Sequence, residues 1–371
     1  MKPSNFTVKA PAFISLVFLF VYGCNVSEKN HSHLQTQLDS ELSDDLPGVL
    51  VSVISPDKGI NWSGAAGLSD VKNNVKILPD QTFRIASVTK TFVAATILRL
   101  WEDNKLNLDD PISMYVSEKH INILKGGGYD TDKITVRHLL NHSSGLAEHV
   151  NTYKYEPDFM KTRHQWSRTE QIKDLVTYAK PVAEVGEKFS YSDTGYALLG
   201  EIIEKITGKF MGDAIEDQLQ LNKLGLKDTY MEDFDGDYSG KRIHQYLADN
   251  DTYDWHPSFD YYGGGGLLST TKDLSLFYKS LFEHKVFKNK ATLDTMLAPV
   301  KYDTEPELDY RMGIWKASIN GMDVYTHLGF WGTQVAYIPE IKTAISTNYS
   351  RRWKDGYNAP IVPKILNAIM N

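Results

Sequence analysis

Three features of the sequence predict a two-lobed α/β fold: an antiparallel sheet flanked by helices and built from both termini, plus an inserted, mainly helical lobe. Strand signals cluster near residues 49–62 and return near 325–347, whereas the stretch between them is dominated by helical spacing. A helix apolar almost all round begins just after Ser87, and such a helix has to be buried on every side. At 371 residues the chain is long enough to bury it, and 42% hydrophobic with 23% charged residues is the balance of an ordinary globular protein.

The chain opens with Lys2 and Lys9 ahead of an apolar run from Ala10 to Tyr22, too short to span a bilayer and shaped like an export signal. Cys24 is the sole cysteine, so it forms no internal disulfide. Residues 1–23 are therefore expected to be removed, and residues 24–45, polar and containing His31 and His33, to form a tether. Losing residues 1–23 takes away two lysines and no acid, which moves the formal charge from −7 to −9 and argues against a nucleic-acid partner.

The folded body is expected over residues 46–371. Val49–Ile54 reads as a strand, Pro56-Asp57-Lys58-Gly59 as a turn, and Ile60–Trp62 as the returning strand. The inserted lobe is placed at about 121–258, with Leu198, Leu199, Ile202, Ile203 and Ile206 at helical spacing. Tyr325–Leu328, Gln334–Ile338 and Thr343–Thr347 complete the sheet, and Ile361, Ile365, Leu366 and Ile369 mark a closing amphipathic helix. Asp233-Phe234-Asp235-Gly236-Asp237 is too irregular for a calcium loop and reads as a solvated acidic turn. No metal site and no cofactor is expected.

Chemistry enters with Ser87-Val88-Thr89-Lys90. Residues three apart on a helix share a face, so Lys90 Nζ can reach Ser87 Oγ, and a serine needs such a neighbour to act as a nucleophile. The pattern Ser-x-x-Lys also occurs at Ser55, Ser69 and Ser269, but the first two fall in turn sequences, and at the third Thr270 or Thr271 reads as a helix cap. Tyr191-Ser192-Asp193 precedes a helix, where Asp193 also fits a capping role. His327-Leu328-Gly329 ends a strand, where His327 also fits as a satisfied sheet histidine.

In this order the three motifs resemble those of the serine β-lactamase/penicillin-binding superfamily, in the branch of class C β-lactamases, D-alanyl-D-alanine carboxypeptidases and related esterases. Phe83-Arg84-Ile85-Ala86, the segment from His138 to Leu146, and Gly264-Gly265-Gly266-Leu267-Leu268-Ser269 extend the likeness over roughly residues 46–350. The resemblance implies a β-lactamase/transpeptidase-like fold and acyl transfer through Ser87, with Lys90 and Tyr191 moving protons. It also implies an oxyanion site between the N–H groups of Ser87 and Phe330, beside Asp193, His327 and Gly329 on the substrate side. Val21-Tyr22-Gly23-Cys24 resembles a lipobox, which implies lipidation of Cys24, export, and a lipid anchor in a bacterial cell envelope.

Two positions depart from the pattern. Asparagine is usual at position 193. An ionised aspartate facing Lys90 favours the ammonium, makes Lys90 a poorer base and shifts that role to Tyr191. Leu328 stands where threonine commonly helps hold a substrate carboxylate, and His327 adds charge there only when protonated. The balance tilts toward esters or amides without a free carboxylate. Trp331, Tyr261, Tyr262, Tyr153 and Tyr155 fall in or near cleft-forming segments, although core and rim packing explains most such aromatics. The leading expectation is a serine hydrolase acting on a peptidoglycan stem peptide, a β-lactam or a small ester. The alternatives are a carboxylesterase of the same fold or a non-catalytic, penicillin-binding-like envelope lipoprotein.

Overall fold

The computed structural model describes residues 31–148, 164–234, 241–303, 309–352 and 361–370. Cys24, Tyr153 and Tyr155 lie outside them. One antiparallel sheet of eight strands carries the molecule, in the spatial order Val75–Lys76, Ile60–Asp70, Gly48–Ser55, Thr343–Tyr349, Thr333–Ile338, Met322–Gly329, Trp315–Ile319 and Asp309–Tyr310. The two chain ends meet at its centre, where Val49 pairs with Tyr349 and Ile54 with Ala344. Every residue of Gly48–Ser55 is buried, as a central strand covered on both faces requires.

On one face of the sheet lie the nucleophile helix, Thr89–Glu102, and the helix Thr271–Phe282, the second against the central strands and the first stacked on it through Phe92 and Phe277. All residues of the former from Thr89 to Leu100 are buried. Thr270 caps the latter by accepting from the Asp273 N–H, so Ser269 belongs to a strand end and a helix start, as its sequence suggests. The opposite face is covered by Ile361–Met370 and by a helix at residues 31–39. That second helix corrects the expected tether: Leu34 and Leu38 are buried against the sheet, because a spacing of four puts both on one face of an otherwise polar segment. Ser55 and Ser69 are themselves buried although the turns after them are exposed; Ser55 Oγ lies 2.7 Å from Thr343 Oγ1.

Between the halves of the sheet lie the helices Glu118–Gly126, Val136–Leu140, Arg168–Tyr178, Asp193–Thr207 and Met211–Leu219. Short strands stitch this lobe to the sheet-bearing one. Phe83–Arg84 and Tyr230–Met231 both pair with Leu267–Ser269, and Tyr246–Leu247 pairs in parallel with Arg351–Arg352. Among the described residues no helix is long and apolar enough to cross a membrane.

Candidate active site

Ser87 sits in a single 3-10 turn, Ala86–Val88, that feeds the nucleophile helix. Ala86 before it has φ +47°, a left-handed conformation that costs a non-glycine residue free energy. Lys90, one turn on, is wholly buried, and an ammonium there needs a partner for each of its three N–H groups. It has them: Nζ donates to Ser87 Oγ at 2.8 Å and to the Gly264 carbonyl at 2.7 Å, and it forms an ion pair with Asp193. Burial disfavours the charge, but the Asp193 carboxylate and Tyr191 outweigh it and hold Lys90 above the ordinary lysine range.

This placement settles two alternatives. Asp193 does not cap its helix; Ser192 does, accepting from the Gly195 N–H, and Asp193 begins Asp193–Thr207 with its carboxylate on Lys90. The Asp193 N–H is taken by Glu148 Oε2 at 2.8 Å. A Cβ on Gly264 would come within 3.1 Å of Asp193 Oδ1, so a side chain there would press on the carboxylate that holds Lys90.

Tyr191 lies with its ring 4.9 Å from Lys90 Nζ. Burial raises its phenol above the usual range, while the Lys90 charge and hydrogen bonding with Lys90 and Ser87 pull the other way. Since Lys90 donates to Ser87, the Ser87 hydroxyl proton is left to point at Tyr191. The ring is held by an aromatic set that sequence patterning did not single out as functional. His142 lies tilted by 35° against it at 4.3 Å, Tyr310 meets it edge-on at 6.2 Å, and Trp315 lies parallel at 6.4 Å. His142 is buried and accepts from the Ser192 N–H through Nδ1 at 3.1 Å; burial and the nearby Lys90 charge keep it neutral. It falls within the motif-bearing segment 138–146, but nothing in its spacing marks it as a neighbour of Tyr191.

His327 is buried and does not offer a cation. Its Nδ1 contacts the Leu328 carbonyl at 2.8 Å, which requires a proton there, so Nε2 accepts from the Tyr310 hydroxyl at 3.2 Å. Burial, reinforced by Lys90, pushes it down to about 3. Both ring nitrogens are spent inside the protein, as for a satisfied sheet histidine. Leu328 beside it is 40% exposed.

Gly329 ends its strand hard against the nucleophile turn, where a Cβ would fall 2.1 Å from the Ile85 carbonyl oxygen. That contact brings Phe330 beside the turn holding Ser87. Among the described residues neither the Ser87 nor the Phe330 N–H finds an acceptor, as an oxyanion site requires. Trp331 and Tyr261 are core residues. Trp331 is enclosed by Trp255, Phe259 and Phe330, and the Tyr262 hydroxyl donates to the Trp166 carbonyl, so these aromatics brace the cleft from behind.

Comparisons with known proteins agree with this geometry. An unguisins hydrolase of Aspergillus campestris is 24% identical over 341 residues, covering 84% of this chain and 60% of the relative. The chain thus spans less than two thirds of that protein's length. Penicillin-binding protein 4* of Bacillus subtilis is 25% identical over 345 residues, 86% of this chain and 72% of the relative. The crystal structure of a D-stereospecific amidohydrolase from a Streptomyces species superimposes with a TM-score of 0.72 at 26% identity, over 86% of this chain and 94% of that one. The family model Beta-lactamase matches residues 33–357, nearly the whole folded body with the motifs at Ser87, Tyr191 and His327, and the chain belongs to that family.

Proposed function

We propose that this protein is an exported serine hydrolase that cleaves small amides or esters through an acyl-Ser87 intermediate and favours substrates with no carboxylate beside the scissile bond. The saturated Lys90 carries this reading. With all three N–H groups engaged, Lys90 cannot take the Ser87 proton and works as a fixed cation. Ser87 Oγ attacks the carbonyl carbon, and the carbonyl π pair moves onto the oxygen held by the Ser87 and Phe330 N–H groups. The Ser87 proton passes to Tyr191 while Tyr191 hands its own to the leaving nitrogen or oxygen as that bond breaks. Lys90 stabilises negative charge on the phenol oxygen during the exchange. Water then repeats the sequence in reverse to release the acid.

Neutral His327 and exposed Leu328 offer neither a cation nor a hydroxyl of their own to a carboxylate, and the neighbouring Arg352 gives Nη1 to the Phe330 carbonyl at 3.1 Å, which favours esters and neutral amides over D-alanyl-D-alanine peptides. Similarity to a D-stereospecific amidohydrolase points the same way. Mass spectrometry after exposure to a fluorophosphonate is expected to show one adduct on Ser87, absent in Ser87→Ala. Hydrolysis rates should rank a p-nitrophenyl ester and an amino-acid amide above a D-Ala-D-Ala peptide and nitrocefin. An unlabelled Ser87 overturns the hydrolase reading, and a preference for the peptide overturns the substrate class.

The export signal and Cys24 support attachment to the cell envelope through lipid. Fractionation of expressing cells should find the wild type with membranes and Cys24→Ala released from them; equal membrane association of both refutes the anchor.

A further inference from the structure

A cavity of about 660 Å³ opens between the helix Met211–Leu219 and the strand Tyr230–Met231, a size that suits a small organic molecule. Ser87, Lys90, Tyr191 and Asp193 do not line it, so it is separate from the acyl centre. Gly212 lets the helix start lie against the strand, since a Cβ there would come within 2.5 Å of Met231 Cβ.

The walls combine aromatic rings with carboxylates. Phe210 and Phe234 both pack on Tyr261, with ring centroids 6.1 and 4.7 Å away, and all three rings line the cavity. Phe210 is nonetheless 45% exposed, a large apolar ring that the protein's own packing leaves half open. Asp213, Glu216 and Asp233 line the same cavity and are exposed. Beneath them Glu232 is held by Arg84 at 2.8 and 3.0 Å and faces Arg242 at 3.7 Å. Four carboxylates against two guanidiniums leave the cavity net negative. No lysine, arginine or histidine is among the described lining residues, and Lys209 beside Phe210 pairs with Asp217. Among the described residues no three histidine, cysteine, aspartate or glutamate side chains gather closely enough to hold a metal ion, so the charge is spread round the wall.

We propose that this cavity is a second binding site, taking an organic cation in which an ammonium group is joined to an aromatic or branched apolar body. The face of an aromatic ring is the negative end of its quadrupole, so Phe210, Phe234 and Tyr261 attract the onium group while the apolar body covers the open side of Phe210. Asp213 and Glu216 add attraction from the wall, and the same charges repel a phosphate or carboxylate ligand. An occupant also touches residues that support the active site. Met231 and Tyr261 press on Gly266, where a Cβ would fall 2.5 Å from Met231 Cε and 3.0 Å from Tyr261 Cδ2, and Gly264, two residues earlier, gives its carbonyl to Lys90.

Calorimetry on the full chain reads this binding directly, whether or not Ser87 forms an acyl-enzyme. Benzyltrimethylammonium is the probe, with benzyl alcohol and benzylsulfonate as its neutral and anionic counterparts. The cation is expected to bind saturably and roughly tenfold more tightly than the alcohol, with benzylsulfonate weaker than both. Phe210→Leu keeps apolar bulk and removes the ring, whereas the double variant Asp213→Asn, Glu216→Gln removes wall charge and keeps shape. Each should weaken the cation about threefold to tenfold, and the double variant should leave benzyl alcohol unchanged. The altered side chains are all exposed, so both melting temperatures should match the wild type; if Phe210→Leu does not fold, the double variant carries the test alone. No saturable binding of the cation, equal affinity for cation and alcohol, or a cation affinity unchanged in both variants overturns the site.

Discussion

At the residue scale, Asp193 decides how the nucleophile is served. An asparagine there would accept one N–H from Lys90 without adding charge, leaving the lysine closer to a base. The aspartate instead fixes the ammonium, and in the proposed mechanism proton movement falls to Tyr191. Asp193→Asn is accordingly expected to lower the Lys90 pKa and move the basic limb of the kcat/KM profile to lower pH. A limb unchanged between the two proteins would mean that Lys90 does not sense Asp193 during turnover. Tyr191→Phe should cost on the order of 100- to 10,000-fold in rate, the usual range for losing a positioned acid-base group, with Ser87 still labelled slowly by fluorophosphonate.

At the scale of elements, the site is made where secondary-structure elements end. The nucleophile comes from a strained turn entering a helix, Asp193 from a helix start, and Phe330 from the residue after a strand. Gly329 joins the first and last of these because its missing side chain lets the strand end touch the Ile85 carbonyl. Gly329→Ala should push the strand end off that turn and displace the Phe330 N–H. The expected loss is about 100- to 1,000-fold in kcat, with a lowered melting temperature because the clash is with backbone. A variant with full activity would show that the oxyanion is held elsewhere. The N-terminal helix at residues 31–39 works at the same scale without chemistry: Leu34 and Leu38 close the sheet face that Ile361–Met370 leaves uncovered.

Across the whole molecule, buried ionisable groups set opposing pH dependences. His327 is neutral in the native state down to about 3, whereas the unfolded chain gains that proton near the ordinary 6.5. Stability from this group is therefore lost as pH falls from 6.5 to 3. Asp260 has the opposite sign. The native state keeps its proton up to about 7, the unfolded chain releases it near 3.8, and stability falls as pH rises between those values. The two partly cancel over the shared range. Asp260→Asn removes only the second, so its melting temperature relative to wild type should climb from about pH 4 to about pH 7 and then level off. A constant difference would show that Asp260 ionises normally.

Much of this was written in the chain before folding. Alternation and turn residues placed strands within 49–62 and 325–347, helical spacing placed helices over 195–207 and 361–369, and the Ser87–Lys90 separation put hydroxyl and amine on one face. Those features are local, and local spacing is legible in sequence. Spacing also hinted at the packed face of residues 31–39, where Leu34 and Leu38 stand four apart, yet composition there suggested a tether; polar content outweighed two leucines that only a sheet surface could make decisive. What tertiary structure alone decided is which groups share a charge. Asp193 meets Lys90 across 103 residues of chain, Gly264 accepts from it across 174, and His327 spends both nitrogens on Leu328 and Tyr310. Proton affinity depends on burial and on every charge within a few ångströms, and neither quantity exists until the lobes close around the site.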